Sequence, residues 1–379
     1  MWCVALVYLS FALPSSMLGV MWPDVRVRFG QSLGALGLVT LSYGLGRLST
    51  AVTGRGLVGR FGTGRALMGA LAALALACAV IASAVSWPLF LAGAGALGMV
   101  SGALDSIGST FIAGRANVAD AGLLHGFYGL GATIGPLVVA LVSNWRAAAA
   151  TAVAVSVGAA VMTSSVNAQW PTPQASDRTG FDSAVEVPSA AVAASVLALG
   201  ALVAIEVTTG QWAFTYLTDA RNISDTGAAI GVAGFWGAST LGRLMMAHPT
   251  IARLVRHIGL PALAAAAAVT LIGVIAGPAW LSVALVALAG FFLAPIVPTL
   301  FATTAHRVGT AAALRVSGWQ LVATNVGALS VPAAIGVLVE AEGPEVIPLV
   351  AVAVLAAVGV PLLVAITRLP DRLVPADRV

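Results

Sequence analysis

The sequence has no lysine. All 18 of its basic residues are arginines, so it lacks the lysine with which a P-loop reaches nucleotide phosphates. No ATPase of that type is present. Charge of either sign is scarce: the 18 arginines and 14 acidic residues make up 8% of 379 residues, against about 25% in a globular chain. Cysteine is limited to Cys3 and Cys78, both inside apolar runs, which excludes a disulfide or metal framework. The four histidines, His125, His248, His257 and His306, lie far apart. Neither a zinc-ligand spacing nor a Ser-His-Asp arrangement joins them. The expectation is a non-enzyme with no cofactor, no metal and no nucleic-acid partner.

What is present is apolar. Hydrophobic residues are 59% of the chain, and the 42 glycines add about 11%. A soluble domain reaches only about 45–50% with glycine included, so the solvent for most of this chain is a lipid bilayer. Nearly unbroken apolar runs cover 66–85 and 346–366, long enough as helix to cross about 30 Å of hydrocarbon. A transmembrane barrel would instead alternate apolar and polar residues in ten-residue strands. The fold class is therefore an all-α membrane protein. Runs bounded by Gly, Pro, Arg and Asp give twelve spans, near 2–22, 32–53, 66–85, 89–113, 122–143, 147–166, 190–217, 227–247, 259–278, 280–303, 312–338 and 346–367. The polar stretch 167–188 reads as a linker. It divides an N-terminal six-helix bundle, 1–166, from a C-terminal one, 189–379.

Arginine placement sets the orientation. With the N-terminus in the cytoplasm, only Arg26, Arg28, Arg146 and Arg221 of the 18 fall outside. Both termini and the linker are then cytoplasmic, in a multi-pass protein of an inner or plasma membrane. Residues 2–22 are expected to be a span, not a cleaved signal, because no cationic side chain precedes Arg26. The halves repeat. Leu45-Gly46-Arg47-Leu48 recurs as Leu241-Gly242-Arg243-Leu244, Arg60 and Gly62 recur as Arg256 and Gly259, and Asp24/Arg26 recur as Asp219/Arg221. Three matches in register imply two homologous bundles related by an axis along the membrane normal.

Twelve spans, a 6+6 repeat and an arginine-rich turn after span 2 together resemble the major facilitator superfamily. The turn Gly56-Leu-Val-Gly59-Arg60-Phe-Gly62-Thr-Gly-Arg65 is similar to the family's Gly-x-Leu-x-Asp-Arg-x-Gly-Arg, with Gly59 where the family has its aspartate. Gly131-Ala-Thr-Ile-Gly135-Pro136 is similar to its span-5 glycine-proline motif. The resemblance implies two pseudo-symmetric six-helix bundles, a monomer, and gating roles for Arg60, Gly62, Arg65 and Arg256. Ala103-Leu-Asp105, His125-Gly-Phe-Tyr-Gly-Leu-Gly131 and Glu206-x-x-x-Gly210-x-Trp212 are more specifically similar to the fucose–proton-symporter-like sugar branch. That branch's best-studied members also carry an acidic residue within span 1. Here Asp24 sits at the outer end instead.

Charge in hydrocarbon costs at least about 2.5–3.5 kcal/mol at a helix centre, so each intramembrane ionisable group needs a reason. Glu206 is the first candidate for proton coupling, with Thr209, Gly210, Ala213 and Tyr216 on its helical face as a cavity-lining stripe. Asp105 is the second, among small polar neighbours that suit a wet pathway. His125, near the end of span 5, is the third. Arg47, Arg243 and Arg315 lie close to helix ends, where snorkelling accounts for them. Gln211, Trp212, Trp236, Trp319, Gln320 and Asn325 are candidates for contact with the solute, since amides and indoles suit a sugar's mixture of hydroxyls and apolar faces. Gln211 and Trp212 join the Glu206 face only if the helix breaks at 208–210. Trp87, Trp145 and Trp280 read as interfacial anchors. Gly93-x-Gly95-x-x-Gly98 matches a dinucleotide fingerprint, but small-residue helix packing explains it better. Pro295, Pro298 and Pro332 read as kinks.

Together these residues lead to a secondary active transporter. It would move a small polar solute, sugar-like by resemblance, by alternating access and with protons. The alternative is a drug- or metabolite-type proton antiporter.

Overall fold

The computed structural model describes residues 2–113, 118–165, 170, 189–246, 248–308 and 310–368. Nearly all of the expected linker, together with Arg115, Arg178, Arg372 and Arg378, lies outside them. The described residues form helices and no strand. The first bundle comprises α1 (Trp2–Val20), α2 (Leu36–Thr50), α3 (Thr63–Ala82), α4 (Trp87–Ala113), α5 (Val118–Val142) and α6 (Trp145–Ser165). The second comprises α7 (Ser189–Thr215), α8 (Asp225–Met245), α9 (Leu260–Ala276), α10 (Ala279–Leu293, resuming as Ile296–Ala302), α11 (Thr310–Glu342) and α12 (Val346–Val354, continued through a π turn to Arg368).

Among the described residues, nine helices are long and apolar enough to cross a membrane alone, and ten if one bent pair counts as a span. The other three of the twelve fall short for local reasons. Helix α2 has 15 residues and α9 has 17, while the 21 residues of α8 are rich in glycine and polar groups. The bent pair, Pro249–Val255 with Leu260–Ala276, turns by 81°. Its counterpart in the first bundle is the short helix Gly54–Phe61, which precedes α3. Both turns pivot on a glycine at positive φ: Gly62 at 77° and Gly259 at 86°. With ψ near 150°, both occupy a region essentially reserved for glycine. The spacing repeat is thus a repeat in backbone geometry.

Packing repeats as well. In the first bundle α1 lies on α5, α2 on α4 and α3 on α6; in the second α7 lies on α11, α8 on α10 and α9 on α12. The bundles meet through α1·α7, α2·α11 and α5·α8, the set that a two-fold axis along the membrane normal maps onto itself. Small residues make these crossings possible. A Cβ at Gly19 would overlap the Gln211 carbonyl oxygen, and one at Gly37 would lie 2.6 Å from that of Ala333.

At the end carrying Trp22 the bundles are tied by polar contacts. Arg26 pairs with Asp219 at 3.6 Å, and the Gly34 N–H donates to Glu340 Oε2 at 3.1 Å. Burial and the Asp225 carboxylate of the other bundle raise the pKa of Asp24. Its protonated form is the one the closed arrangement favours, so closure here strengthens as pH falls. Rings of Trp22, Phe29, Trp87, Phe90 and Trp145 pack together at the same end. Trp145 is therefore a buried cluster member and not the interfacial anchor expected of it. Trp280, at 74% exposure, remains free for that role.

Helix α10 breaks at Ala294–Pro295, whereas α11 runs unbroken through Pro332.

Candidate functional site

Two ion pairs lie inside the helical bundles. In the first, Arg47 Nη2 on α2 donates to Asp105 Oδ2 on α4 at 2.6 Å. In the second, Arg243 Nη2 on α8 donates to Glu206 Oε1 on α7. The snorkelling expected of Arg47 and Arg243 is thereby corrected. Both guanidiniums turn to a carboxylate within the protein, because a charge at membrane depth gains more from an opposite charge than from a stretched path to the interface.

The arginines are repeat-related, but the carboxylates come from different spans. Helix packing explains how each is reached. Gly98 brings α4 against the Tyr43 carbonyl, and Gly102 brings it against the Arg47 carbonyl. That close approach puts Asp105 within reach of the guanidinium. The glycines of the false dinucleotide fingerprint thus serve helix packing. On the other side Gly210 of α7 accommodates the Trp236 indole of α8, setting α7 and α8 close enough for Glu206 to meet Arg243.

Each carboxylate has further hydrogen bonding. The Tyr8 hydroxyl donates to Asp105 Oδ1 at 3.2 Å, and Ser239 Oγ donates to Glu206 Oε1 at 3.2 Å. The side chain of Asp105 is 30% exposed and that of Glu206 only 7%. Asp105 is the wetter acid, as its small polar neighbours suggested. The stripe Thr209, Gly210, Ala213 and Tyr216 is buried.

Helix α5 lies near both pairs. His125 and Tyr128 are three residues apart, on one face. The His125 ring meets Tyr8 edge-on at 6.1 Å and interacts electrostatically with both Asp105 and Arg243. Tyr128 interacts with Arg47, Asp105 and Arg243. Since α5 packs on α8 across the interface, this face sits between one bundle's ion pair and the other's. Tyr8, Tyr43, Tyr128 and Ser239 were not singled out in the sequence. The available signal was the charge repeated in Leu-Gly-Arg-Leu, which called for a partner.

A superfamily model described as Major Facilitator Superfamily matches residues 4–332. The chain belongs to that superfamily. No curated protein matches it by sequence. Among solved structures, it is similar to a bacterial homologue of the human lysosomal transporter Spinster in an inward-facing, occupied conformation. Identity is 12%, coverage 99% of this chain and 98% of that one, and the TM-score 0.76. The nucleoside transporter NupG follows at 14% identity, 97% and 99% coverage and TM-score 0.76. The E. coli fucose:proton symporter FucP is similar at 16% identity, 95% and 97% coverage and TM-score 0.57. At such identities the likeness is one of fold.

The remaining predicted residues of this major facilitator protein are dispersed. Helix α7 is continuous through 208–210, so the expected break is absent; a π turn comes later, at Tyr216–Ala220. Without that break, Gln211 and Trp212 turn elsewhere. Gln211 Nε2 donates to the Ser15 carbonyl of α1 at 3.2 Å, while its Oε1 is buried without a partner. Trp212 is fully buried and donates to the Pro332 carbonyl at 2.9 Å. Gln320 is also fully buried, accepting from Thr304 and donating to Ser195. Asn325 donates back to Leu321 of its own helix, and Trp319 is 49% exposed. Trp236 differs from these. It is 7% exposed, and its Nε1 has no acceptor. Arg60 and Arg65 are exposed beside Gly62, Arg60 lying over the Phe61 ring at 5.3 Å. Arg256 falls in the helix Pro249–Ile258, and its side chain is outside the described residues.

Proposed function

We propose that this major facilitator protein is a proton-coupled secondary active transporter of a small polar solute, with Asp105 and Glu206 as its proton-carrying groups. The observation that carries this reading is that each acid is held by a repeat-related arginine next to the bundle interface. Protonating either carboxylate removes half of an ion pair and releases its arginine. The free energy of that pair then changes with each proton taken up, and the bundles can respond by rocking about their α1·α7, α2·α11 and α5·α8 contacts. His125 and Tyr128 are placed to sense both pairs.

In the orientation given by the arginine bias, the tied Trp22 end faces outward and both termini face the cytoplasm. Arg60, Arg65 and Arg256 then lie at the cytoplasmic face, available to hold that end when the outer one opens, with Gly62 as the turn that presents them. A sugar is the solute implied by the fucose-branch resemblance, and FucP is among the similar folds. In this chain, however, the polar atoms of Trp212 and Gln320 are engaged within the protein.

The test is uptake into proteoliposomes from a panel of labelled sugars, nucleosides, amino acids and organic acids. One inward proton supplies about 2.3 kcal/mol per 100 mV, and a pH unit adds about 1.4 kcal/mol. Together they sustain a gradient of several hundred-fold. An acidic exterior should drive accumulation of at least one solute, and a protonophore should abolish it. Extrusion of lipophilic compounds, with no accumulation of any polar solute, would favour the antiporter reading instead.

A further inference from the structure

From the donors assembled around the bundle interface, we infer that the solute is a small oxyanion, carboxylate or phosphoryl in type, held by Arg47 and Arg243 once Asp105 and Glu206 are protonated. This deepens the proposed transport function and rests on it.

The inference comes from counting charge and hydrogen-bonding capacity. The two guanidiniums carry two positive charges, and the two carboxylates that face them carry two negative ones. In the unprotonated state the site is neutral, and each arginine is occupied. Two protons leave a net charge of +2 and two planar donor forks, the geometry that matches an oxyanion. A further donor waits nearby. Trp236, seven residues before Arg243 on α8 and therefore on the same face, has a buried indole N–H with no acceptor. An indole can only donate, so it too calls for an acceptor on the ligand. Asp105 and Glu206, two of the acceptors a neutral polyol would use, are already taken by the arginines, which leaves Gln211 Oε1 as a buried acceptor without a partner among the described residues.

The two arginines occupy equivalent positions in the repeat, one in each bundle, on helices α2 and α8 that both pack across the interface. An anion held between them draws the bundles together as it binds. The charged and titratable groups facing the two carboxylates are Tyr8 on α1, Tyr43 and Arg47 on α2, His125 and Tyr128 on α5, and Arg243 on α8. A protonated His125 would add to the attraction for an anion.

Stoichiometry follows from the charge balance. Two protons accompanying one dianion move no net charge, so transport is electroneutral and one pH unit sustains about a hundred-fold gradient. A neutral solute moving with a proton would respond to membrane potential as well.

The test begins with sulfate, whose charge is constant across the pH range, as a binding probe for the purified full chain. Succinate and inorganic phosphate then serve to separate the carboxylate and phosphoryl sources, and L-fucose is the neutral comparison. Sulfate affinity should rise at least tenfold between pH 7.5 and 5.5. The double variant Asp105→Asn, Glu206→Gln, which imitates protonation and keeps an acceptor for each arginine, should bind sulfate at pH 7.5 as tightly as the wild type does at pH 5.5. In proteoliposomes, pH-driven uptake of succinate or phosphate should be unchanged by a potassium diffusion potential. Fucose binding with no anion binding at either pH would overturn the inference while leaving proton-coupled transport in place. Sulfate binding that is the same at both pH values and unaltered in the double variant would also overturn it. Anion binding as expected, but without pH-driven uptake, would keep the site and sink the transport reading.

Discussion

Glu206→Gln should sharply lower pH-driven accumulation while leaving exchange of solute across the membrane largely intact. Glutamine has nearly the same shape, and its carbonyl oxygen can accept from Arg243 Nη2 and Ser239 Oγ as Glu206 Oε1 does. What it lacks is the titrating proton. One of the two proton carriers is then lost, and the steady-state accumulation ratio should fall about tenfold for each unit of imposed pH gradient. Counterflow, in which labelled solute exchanges for unlabelled, needs no net proton movement and should persist. Loss of both activities together would place Glu206 in solute binding alone. Survival of both at wild-type level would leave it a packing residue, and Asp105→Asn would become the informative substitution. Breaking the Glu206 pair from the arginine side is a harsher change, because it leaves an uncompensated carboxylate in a buried site at a cost of about 3–5 kcal/mol.

Gly98→Val should cost most of the folded protein. The Cβ alone would overlap the carbonyl oxygen of Tyr43, and its second and third neighbours are the Tyr43 carbonyl carbon at 2.7 Å and Cα at 2.9 Å. Backbone cannot swing aside as a side chain can. Relief requires α2 and α4 to separate, and overpacking of this kind costs about 1–3 kcal/mol or more. The same separation would pull Arg47 from Asp105, so the substitution attacks the site and the fold together. The measurement is the yield of monodisperse protein in detergent and its thermal midpoint. Gly158→Ala, where an added Cβ meets nothing within 4 Å, should leave both close to wild type. A Gly98→Val protein as stable as that control would show that the α2–α4 approach is not what positions the pair.

The fold was legible because bilayer physics writes it in composition. Apolar runs of fixed length, arginine-marked turns and the 196-residue echo of Leu-Gly-Arg-Leu required nothing beyond local pattern. The turn glycines Gly62 and Gly259 were visible for the same reason, since a positive φ is a single-residue demand. Within the site, Glu206 and Asp105 stood out as charges at membrane depth.

Their partners did not stand out. Arg47 lies 58 residues from Asp105, and Arg243 lies 37 from Glu206. Proximity to a helix end made snorkelling the simpler account. Only the crossing of α2 on α4 and of α7 on α8 decides where each guanidinium goes, and that crossing depends on glycines whose role appears in three dimensions. The polar aromatics misled for a related reason. Trp212 and Gln320 look like ligand contacts in a list of residues, yet buried donors must be satisfied wherever the packing puts them. Here helix carbonyls and neighbouring hydroxyls satisfy them first.

Proton movement on addition of solute tests the central claim most directly. Proteoliposomes are equilibrated at equal pH on both sides with no membrane potential, the solute identified by the uptake panel is added outside, and external pH is followed. Coupling through Asp105 and Glu206 predicts prompt alkalinisation of the medium in proportion to solute entry, absent from vesicles carrying the double variant Asp105→Asn, Glu206→Gln. Solute entry at full rate with no change in external pH, in vesicles that hold an imposed pH gradient, would contradict the account.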